Sequence, residues 1–183
     1  MKTRFKIRDI TITYIKHSDL TDLLEMLKNP AVCEHVFFGP NTKEETEEYF
    51  VPLIDSINKS LKKHEMPEDH VFIVRKGDLF IGNCALVSNS YNPGCYTVGY
   101  TIDEPFWKQG YGDISLKFLI DYGFNKLNAY RLNGNCMSGN TGSRKIMENN
   151  GFKLEGRQRN FCYKNGSYSD NLLFGLLKSD IDF

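Results

Sequence analysis

The sequence predicts an α/β domain of the α+β kind, built on a mixed, mostly antiparallel sheet. Three observations predict it. Apolar runs at 70–75, 79–87 and 95–102 are separated by the turn signals Lys76-Gly77-Asp78 and Asn92-Pro93-Gly94, the pattern of an antiparallel meander. Helical spacing at 112–126 and 140–150 brackets another apolar run at 130–137. The passage from 95 to 137 can therefore pair parallel through a right-handed crossover. Asn165-Gly166, between two further strand-like runs, is a type I′ hairpin signal.

The elements follow in order. Phe5 to Ile15 reads as one strand, with Ile7, Ile10 and Ile12 and the β-branched Thr11 and Thr13. Ser18-Asp19 opens a short helix carrying Leu20, Leu23, Leu24 and Leu27 at helical spacing, and Asn29-Pro30 closes it. Thr42 and Glu45 form a capping-box pair. The helix they open carries Glu44, Glu45, Glu47 and Glu48 near its positive end, and Pro52 should kink or interrupt it. Asn150-Gly151 supplies the C-cap of the helix at 140–150, since glycine tolerates φ > 0.

Size and composition narrow the function. At 183 residues the chain fits a single domain spanning 1–183. Its 40% hydrophobic and 25% charged residues exclude a disordered chain. Lys+Arg and Asp+Glu are both 23, so charge gives no reason to expect nucleic acid or a membrane surface as partner. Cys33, Cys84, Cys95, Cys136 and Cys162 are odd in number and contain no CxxC, which argues against a zinc ribbon or disulfide framework. They read as small core residues in a reducing compartment. No apolar run is long enough for a membrane span, so a cytoplasmic protein is expected. His17, His64 and His70 have no metal-ligand spacing, and no metal is expected.

The most informative stretch is Ile102-Asp103-Glu104-Pro105-Phe106-Trp107-Lys108-Gln109-Gly110-Tyr111-Gly112-Asp113. A strand ends, a loop passes two glycines and a helix begins. Unpaired N–H groups at a helix start, reached through glycines, suit a pyrophosphate. Ser115 stands where a Rossmann fingerprint needs its third glycine, and no GK[ST] follows, so neither dinucleotide motif is present. Taken alone, the bend is better explained as a tight turn that needs φ > 0. Asp113 would repel a phosphate unless Lys117, four residues later, neutralises it.

A second constellation is Asn140-Thr141-Gly142-Ser143-Arg144-Lys145-Ile146-Met147-Glu148-Asn149-Asn150-Gly151-Phe152. Asn140 alone is an N-cap and Gly151 alone a C-cap. Together with the glycine bend, the stretch resembles the second CoA motif of the GNAT superfamily of N-acyltransferases, in its Rim-type (ribosomal-protein N-terminal) branch. The resemblance rests on Asn140, Ser143, Lys145, Met147, Glu148, Asn149, Gly151 and Phe152, and on Trp107, Gln109, Gly110, Tyr111 and Gly112 in the first motif. Weaker echoes extend over about residues 20–178.

The resemblance implies a GNAT-type fold with a splayed central strand and helices on both faces. It implies acetyl-CoA as co-substrate and a primary amine as acceptor, either a protein or peptide N-terminus or a small molecule. The pantetheine arm would pair with the strand at Tyr100, Thr101 and Ile102. The pyrophosphate would sit on the amides of Lys108, Gln109, Gly110, Tyr111, Gly112 and Asp113. Ser143 would protonate the leaving thiolate, because the helix 140–150 has no Tyr, and Asn140 would orient Ser143 or the CoA amide. Helix capping is the alternative role for both.

The departures concern the base. Thr97 and Cys162 stand where relatives carry a Glu, and Asp113 replaces a Ser or Thr. Glu34, His35 and Tyr163 are the remaining candidates for a general base. The missing carboxylates motivate a second reading, a non-catalytic module that binds or senses acyl-CoA. The chain is expected to be a monomer or homodimer.

Overall fold

A computed structural model describes residues 2–181. One eight-stranded sheet carries the fold, in the order β1-β2-β3-β4-β5-β6-β8-β7. The strands are β1 (Arg4–Ile7), β2 (Ile10–Tyr14), β3 (His70–Lys76), β4 (Leu79–Ser88), β5 (Cys95–Ile102), β6 (Arg131–Met137), β7 (Lys153–Lys164) and β8 (Ser167–Leu177). Every neighbouring pair is antiparallel except β5 and β6. That parallel pair is joined by the crossover through α4 (Tyr111–Asp121), as the sequence predicts.

Helices cover both faces. His70 to Val74 of β3 are all buried, which requires cover on each side. On one face Phe72 packs against Phe118 and Tyr122, at the end of the crossover, with ring centroids 5.0 and 5.2 Å apart. On the other, Arg75 donates to Asp19 at 2.9 Å and to Asp22, at the start of α1 (Leu20–Lys28). Arg75 and Phe72 differ by an odd number of residues, so their side chains leave opposite faces of β3. Three further helices are α2 (Pro30–Cys33), α3 (Lys43–Lys62) and α5 (Thr141–Asn149).

Local expectations hold at most boundaries. Thr42 Oγ1 accepts the Glu45 N–H at 3.1 Å while Glu45 accepts the Thr42 N–H at 2.7 Å. Asn165 and Gly166 take φ of 52° and 78° in the turn between β7 and β8.

Three expectations are corrected. The single strand Phe5–Ile15 is a hairpin, turned on Arg8-Asp9 with Arg8 at φ 54°. The apolar phase shifts there from Phe5 and Ile7 to Ile10 and Ile12. One strand cannot keep both sets on one face, whereas the hairpin does. Pro52 does not interrupt α3, which runs from Lys43 to Lys62. Pro52 lies on the exposed side, where water can satisfy the carbonyl that its missing N–H leaves free. The helix expected over 112–126 is α-helical only to Asp121 and continues as a π-helical turn, Tyr122–Lys126. That turn seats Tyr122 beneath β2, its hydroxyl 2.9 Å from that of Tyr14.

Candidate active site

The parallel strands β5 and β6 pair only from Cys95 to Thr97, opposite Arg131 to Asn133. Beyond that point they part, and this is the splay. Its other side stays closed, because β5 pairs with β4 as far as Ile102. Register decides which backbone groups face the gap. Asn89 donates to the Cys95 carbonyl and Asp103 to the Ile81 carbonyl, so the odd-numbered residues of β5 bond to β4. Tyr100 and Ile102 therefore turn their backbone groups to the gap. Thr101 turns its own toward Asn83, which corrects the expectation that it offers them to a ligand.

The bend after β5 is folded by its own side chains. The Trp107 indole N–H donates to the Ile102 carbonyl at 2.6 Å, and the Gln109 amide to the Pro105 carbonyl at 2.9 Å. Gln109 thus reaches back along the exposed surface of the turn. Lys108 and Gly110 have φ of 60° and 85°. Gly110 is the N-cap of α4, and no side chain caps this end. The first hydrogen bond of the helix runs from the Ile114 N–H to the Gly110 carbonyl at 3.0 Å. The amides of Tyr111, Gly112 and Asp113 precede it and carry the positive end of the helix dipole.

The two glycines have different jobs. A Cβ on Gly110 would meet nothing within 4 Å, so this edge is open to a ligand. A Cβ on Gly112 would lie 2.9 Å from Ile146 Cδ1. Gly112 therefore lets α4 and α5 approach closely and is not a wall of the cradle.

Asp113 faces α5. Its carboxylate accepts from Asn150 Nδ2 and from Lys117 Nζ, both at 2.8 Å. Partial burial works to raise its pKa, but the hydrogen bonds from Lys117 and Asn150 prevail and hold it below the usual carboxylate range. The charge that would repel a phosphate is thereby neutralised, and the Asp113 backbone N–H remains at the helix start.

At α5, Asn140 Oδ1 accepts the Ser143 N–H at 2.9 Å, the N-cap bond. Its Nδ2 donates to the His35 carbonyl at 3.1 Å. The Ser143 hydroxyl lies 3.0 Å from the Tyr100 hydroxyl, which also donates to the Ser143 carbonyl at 3.2 Å. Burial pushes the Tyr100 phenol up to about 12, against the opposing pull of the Ser143 hydrogen bond. A phenol thus does stand beside Ser143, but it comes from β5 and not from the second-motif helix.

The base candidates separate. His35 is exposed in the loop after α2, with Nδ1 3.8 Å from where a Cβ on Gly139 would stand, beside the start of α5. Glu34 is exposed at the end of α2. Tyr163 packs against Tyr168 with ring centroids 4.9 Å apart and the rings tilted, toward the tip of the β7–β8 hairpin. The same hairpin grips the loop after α2. Lys164 Nζ donates to the carbonyls of Cys33, Val36 and Phe38 at 2.7, 3.1 and 2.7 Å. Phe161 meets Phe37 edge to face at 5.5 Å.

A family model described as an acetyltransferase (GNAT) domain matches residues 9–153. The chain belongs to the GNAT acetyltransferase family. Among GNAT relatives, an uncharacterized N-acetyltransferase, p20 of Bacillus licheniformis, is 25% identical over 180 residues, covering 98% of each chain. Two solved structures share the fold. The spermidine N-acetyltransferase of Vibrio cholerae, determined with CoA and spermine, superposes with a TM-score of 0.79 at 20% identity, covering 95% of this chain and 98% of its own. The ribosomal-protein-S5-alanine acetyltransferase of Vibrio fischeri superposes with a TM-score of 0.79 at 20% identity, covering 98% of both chains. Both enzymes share the GNAT fold with this chain to the same degree.

In this GNAT chain the gap of the splay, the uncapped start of α4 and the Tyr100–Ser143 pair belong to adjoining elements. Sequence reasoning missed the Tyr100 phenol, because a strand position one turn-length from a motif gives no sign of its cross-sheet partner. It also missed Lys164, whose partners are carbonyls more than a hundred residues away in the chain. Among the described residues there is no group of three or more His, Cys, Asp or Glu that could hold a metal, and no helix is long and apolar enough to cross a membrane.

Proposed function

We propose that this acetyltransferase moves the acetyl group of acetyl-CoA to a primary amine, on a protein or peptide N-terminus or on a small molecule, by direct attack in a ternary complex. The observation that carries the reading is the splay of β5 from β6, with the uncapped N-terminus of α4 at one end and the Ser143 hydroxyl alongside. The residues fit the co-substrate. Amides from Lys108 to Asp113 suit its diphosphate, and the free backbone groups of Tyr100 and the Ile102 N–H suit the amides of its arm. Asn140 caps α5 and so places Ser143.

Acetyl-CoA supplies an activated carbonyl and a thiolate leaving group. The chain's part is to orient it and to hold a proton at Ser143 Oγ for the departing sulfur. Direct attack is favoured over an acyl-cysteine route. Burial pushes the Cys136 thiol up to about 11, slightly offset by Arg144, and raises Cys84 further. Both stay protonated and poorly nucleophilic at neutral pH.

No carboxylate stands at Thr97 or Cys162 to deprotonate the acceptor. An α-amine, with pKa ~7.7–8.0, is partly neutral near pH 7.5, whereas a lysine-type amine at ~10.4 is not. This favours an N-terminal or other α-amine, with His35, Glu34 and Tyr163 as the candidates to take its proton. The reading includes residues 1–183 acting as one domain in the cytoplasm, as a monomer or homodimer. Thiol release from acetyl-CoA across a panel of amines tests it. Amine-dependent release is expected; tight binding of acetyl-CoA with no release would favour the non-catalytic sensing module instead.

A further inference from the structure

Strand β7 carries two more residues than its partner between Gln158 and Cys162. Gln158 pairs with Asn171 and Cys162 with Ser169, so Arg159, Asn160 and Phe161 stand opposite Asp170 alone. Asn160 takes φ of 51° within this bulge, a left-handed conformation uncommon outside glycine. Asp170 holds the bulge together. Its Oδ1 accepts the Asn160 N–H at 2.8 Å and its Oδ2 accepts from Arg157 Nε. Both carboxylate oxygens are therefore engaged inside the bulge.

Arg157, Arg159, Asn160 and Asp170 line an open, shallow cleft on the surface. Two guanidinium groups against one carboxylate leave it net positive. Arg157 bonds to Asp170 through Nε, with its side chain 64% exposed, so its terminal nitrogens stay available. Arg159 is exposed and makes no ion pair among the described residues. The backbone of the bulge is tied to the segment that leads into α5. The Asp170 carbonyl accepts the Ser138 N–H at 2.9 Å, two residues before Asn140 caps α5. Phe161, at the end of the bulge, packs on Phe37 of the loop that Asn140 also touches through His35.

We infer that this cleft receives a carboxylate carried close to the reacting amine, with Arg159 as the specificity-determining residue. Acceptors of this chain are then amino-acid-like or peptide amines with an acidic group, not polyamines. A fork of guanidinium N–H donors matches a carboxylate, and two such forks repel a polycation. The bulge places Arg159 at an irregularity of β7, on an exposed stretch opposite Asp170. The inference rests on the amine-acetylation reading.

The test compares kcat/KM for the free-amine peptides Ala-Asp-Ala, Ala-Ala-Ala and Ala-Lys-Ala, each C-terminally amidated, and for spermidine. The wild-type chain should favour the Asp peptide over the Lys peptide by roughly fivefold to tenfold, chiefly through KM, as a charge-assisted hydrogen bond implies. R159E should invert the order and R159K should keep it. Circular dichroism melting and acetyl-CoA calorimetry on each variant show whether fold and co-substrate binding are intact. Transfer without a charge preference, a preference for spermidine, or an Asp preference that survives in R159E would overturn this inference alone. Absence of transfer to every amine would overturn it together with the reading beneath it.

Discussion

The Tyr100 phenol oxygen lies 3.0 Å from the Ser143 hydroxyl oxygen, joining the free edge of β5 to the first turn of α5. Burial keeps this phenol protonated far above neutral pH. Its one proton can go to the Ser143 carbonyl or to the Ser143 hydroxyl, and in the second arrangement the serine proton is left for a departing thiolate. Ser143→Ala should lower kcat by ~10-fold or more with little change in the KM for acetyl-CoA, as loss of a group acting only in the transition state does. Tyr100→Phe should lower kcat by a smaller factor and cost about 1 kcal/mol of stability. The double variant should be no worse than Ser143→Ala, because the phenol acts through the serine. Steady-state kinetics of the three variants check this; a Tyr100→Phe enzyme with unchanged kcat would leave the phenol a packing group.

Gly110 and Gly112 should fail differently. Gly110→Val places a branched side chain at φ 85° on the open edge of the bend, and acetyl-CoA affinity should fall. Gly112→Ala drives a Cβ toward Ile146 Cδ1, the flexible end of that side chain, so the fold should lose less than ~1 kcal/mol through overpacking. Ile146→Val removes the atom that is struck, so it should recover much of that loss when combined with Gly112→Ala. Urea melts and calorimetry separate the two effects.

Asp113→Thr should not tighten acetyl-CoA binding, although it removes a negative charge near the cradle. The carboxylate ties α4 to Asn150, so its loss should lower Tm by ~2–4 °C, the shift expected for about 1 kcal/mol in a chain of this size. A variant with unchanged Tm and tighter binding would contradict the tie.

Lys164→Met should release the loop after α2 from the hairpin. The KM for the amine should rise, while the Kd for acetyl-CoA should stay as it was, because the three carbonyls lie in the loop and not at α4. Isothermal titration with acetyl-CoA beside amine kinetics distinguishes the two.

Much of this was legible in the sequence. Capping residues, the Asn165-Gly166 turn and the alternating runs at 70–102 and 130–137 act within a few residues, so local chemistry sets them. The Phe5–Ile15 hairpin was also legible in the change of apolar phase at Arg8-Asp9, where Asp9 is a usual turn former but Arg8, which takes the positive φ, is not. The Tyr100–Ser143 bond, the Lys164 grip and the β7 bulge were not legible. Each depends on which distant elements the sheet order brings together, and no periodicity records that. The glycine bend was legible as a motif, yet the sequence could not show that Gly112 serves helix packing and Gly110 the open edge.

Stability should depend on His70. The residue is fully buried, with Nδ1 2.6 Å from the Tyr14 hydroxyl, and burial pushes its pKa down to about 4. Between about pH 6.5 and 4 the unfolded chain binds a proton that the folded chain refuses. Stability is therefore fully present above pH ~6.5 and falls with pH through this window, by on the order of 3 kcal/mol. His70→Phe should remove this part of the pH dependence, whatever its effect on stability at pH 7. Urea titrations from pH 7 to 4 on both proteins check it.

A crystal structure of the chain with CoA tests the central claim most directly. The diphosphate should lie within hydrogen-bond reach of the main-chain amides between Lys108 and Asp113, with the sulfur approaching Ser143 Oγ in the gap between β5 and β6. A diphosphate bound elsewhere, or a gap closed by the chain's own strands, would contradict the account.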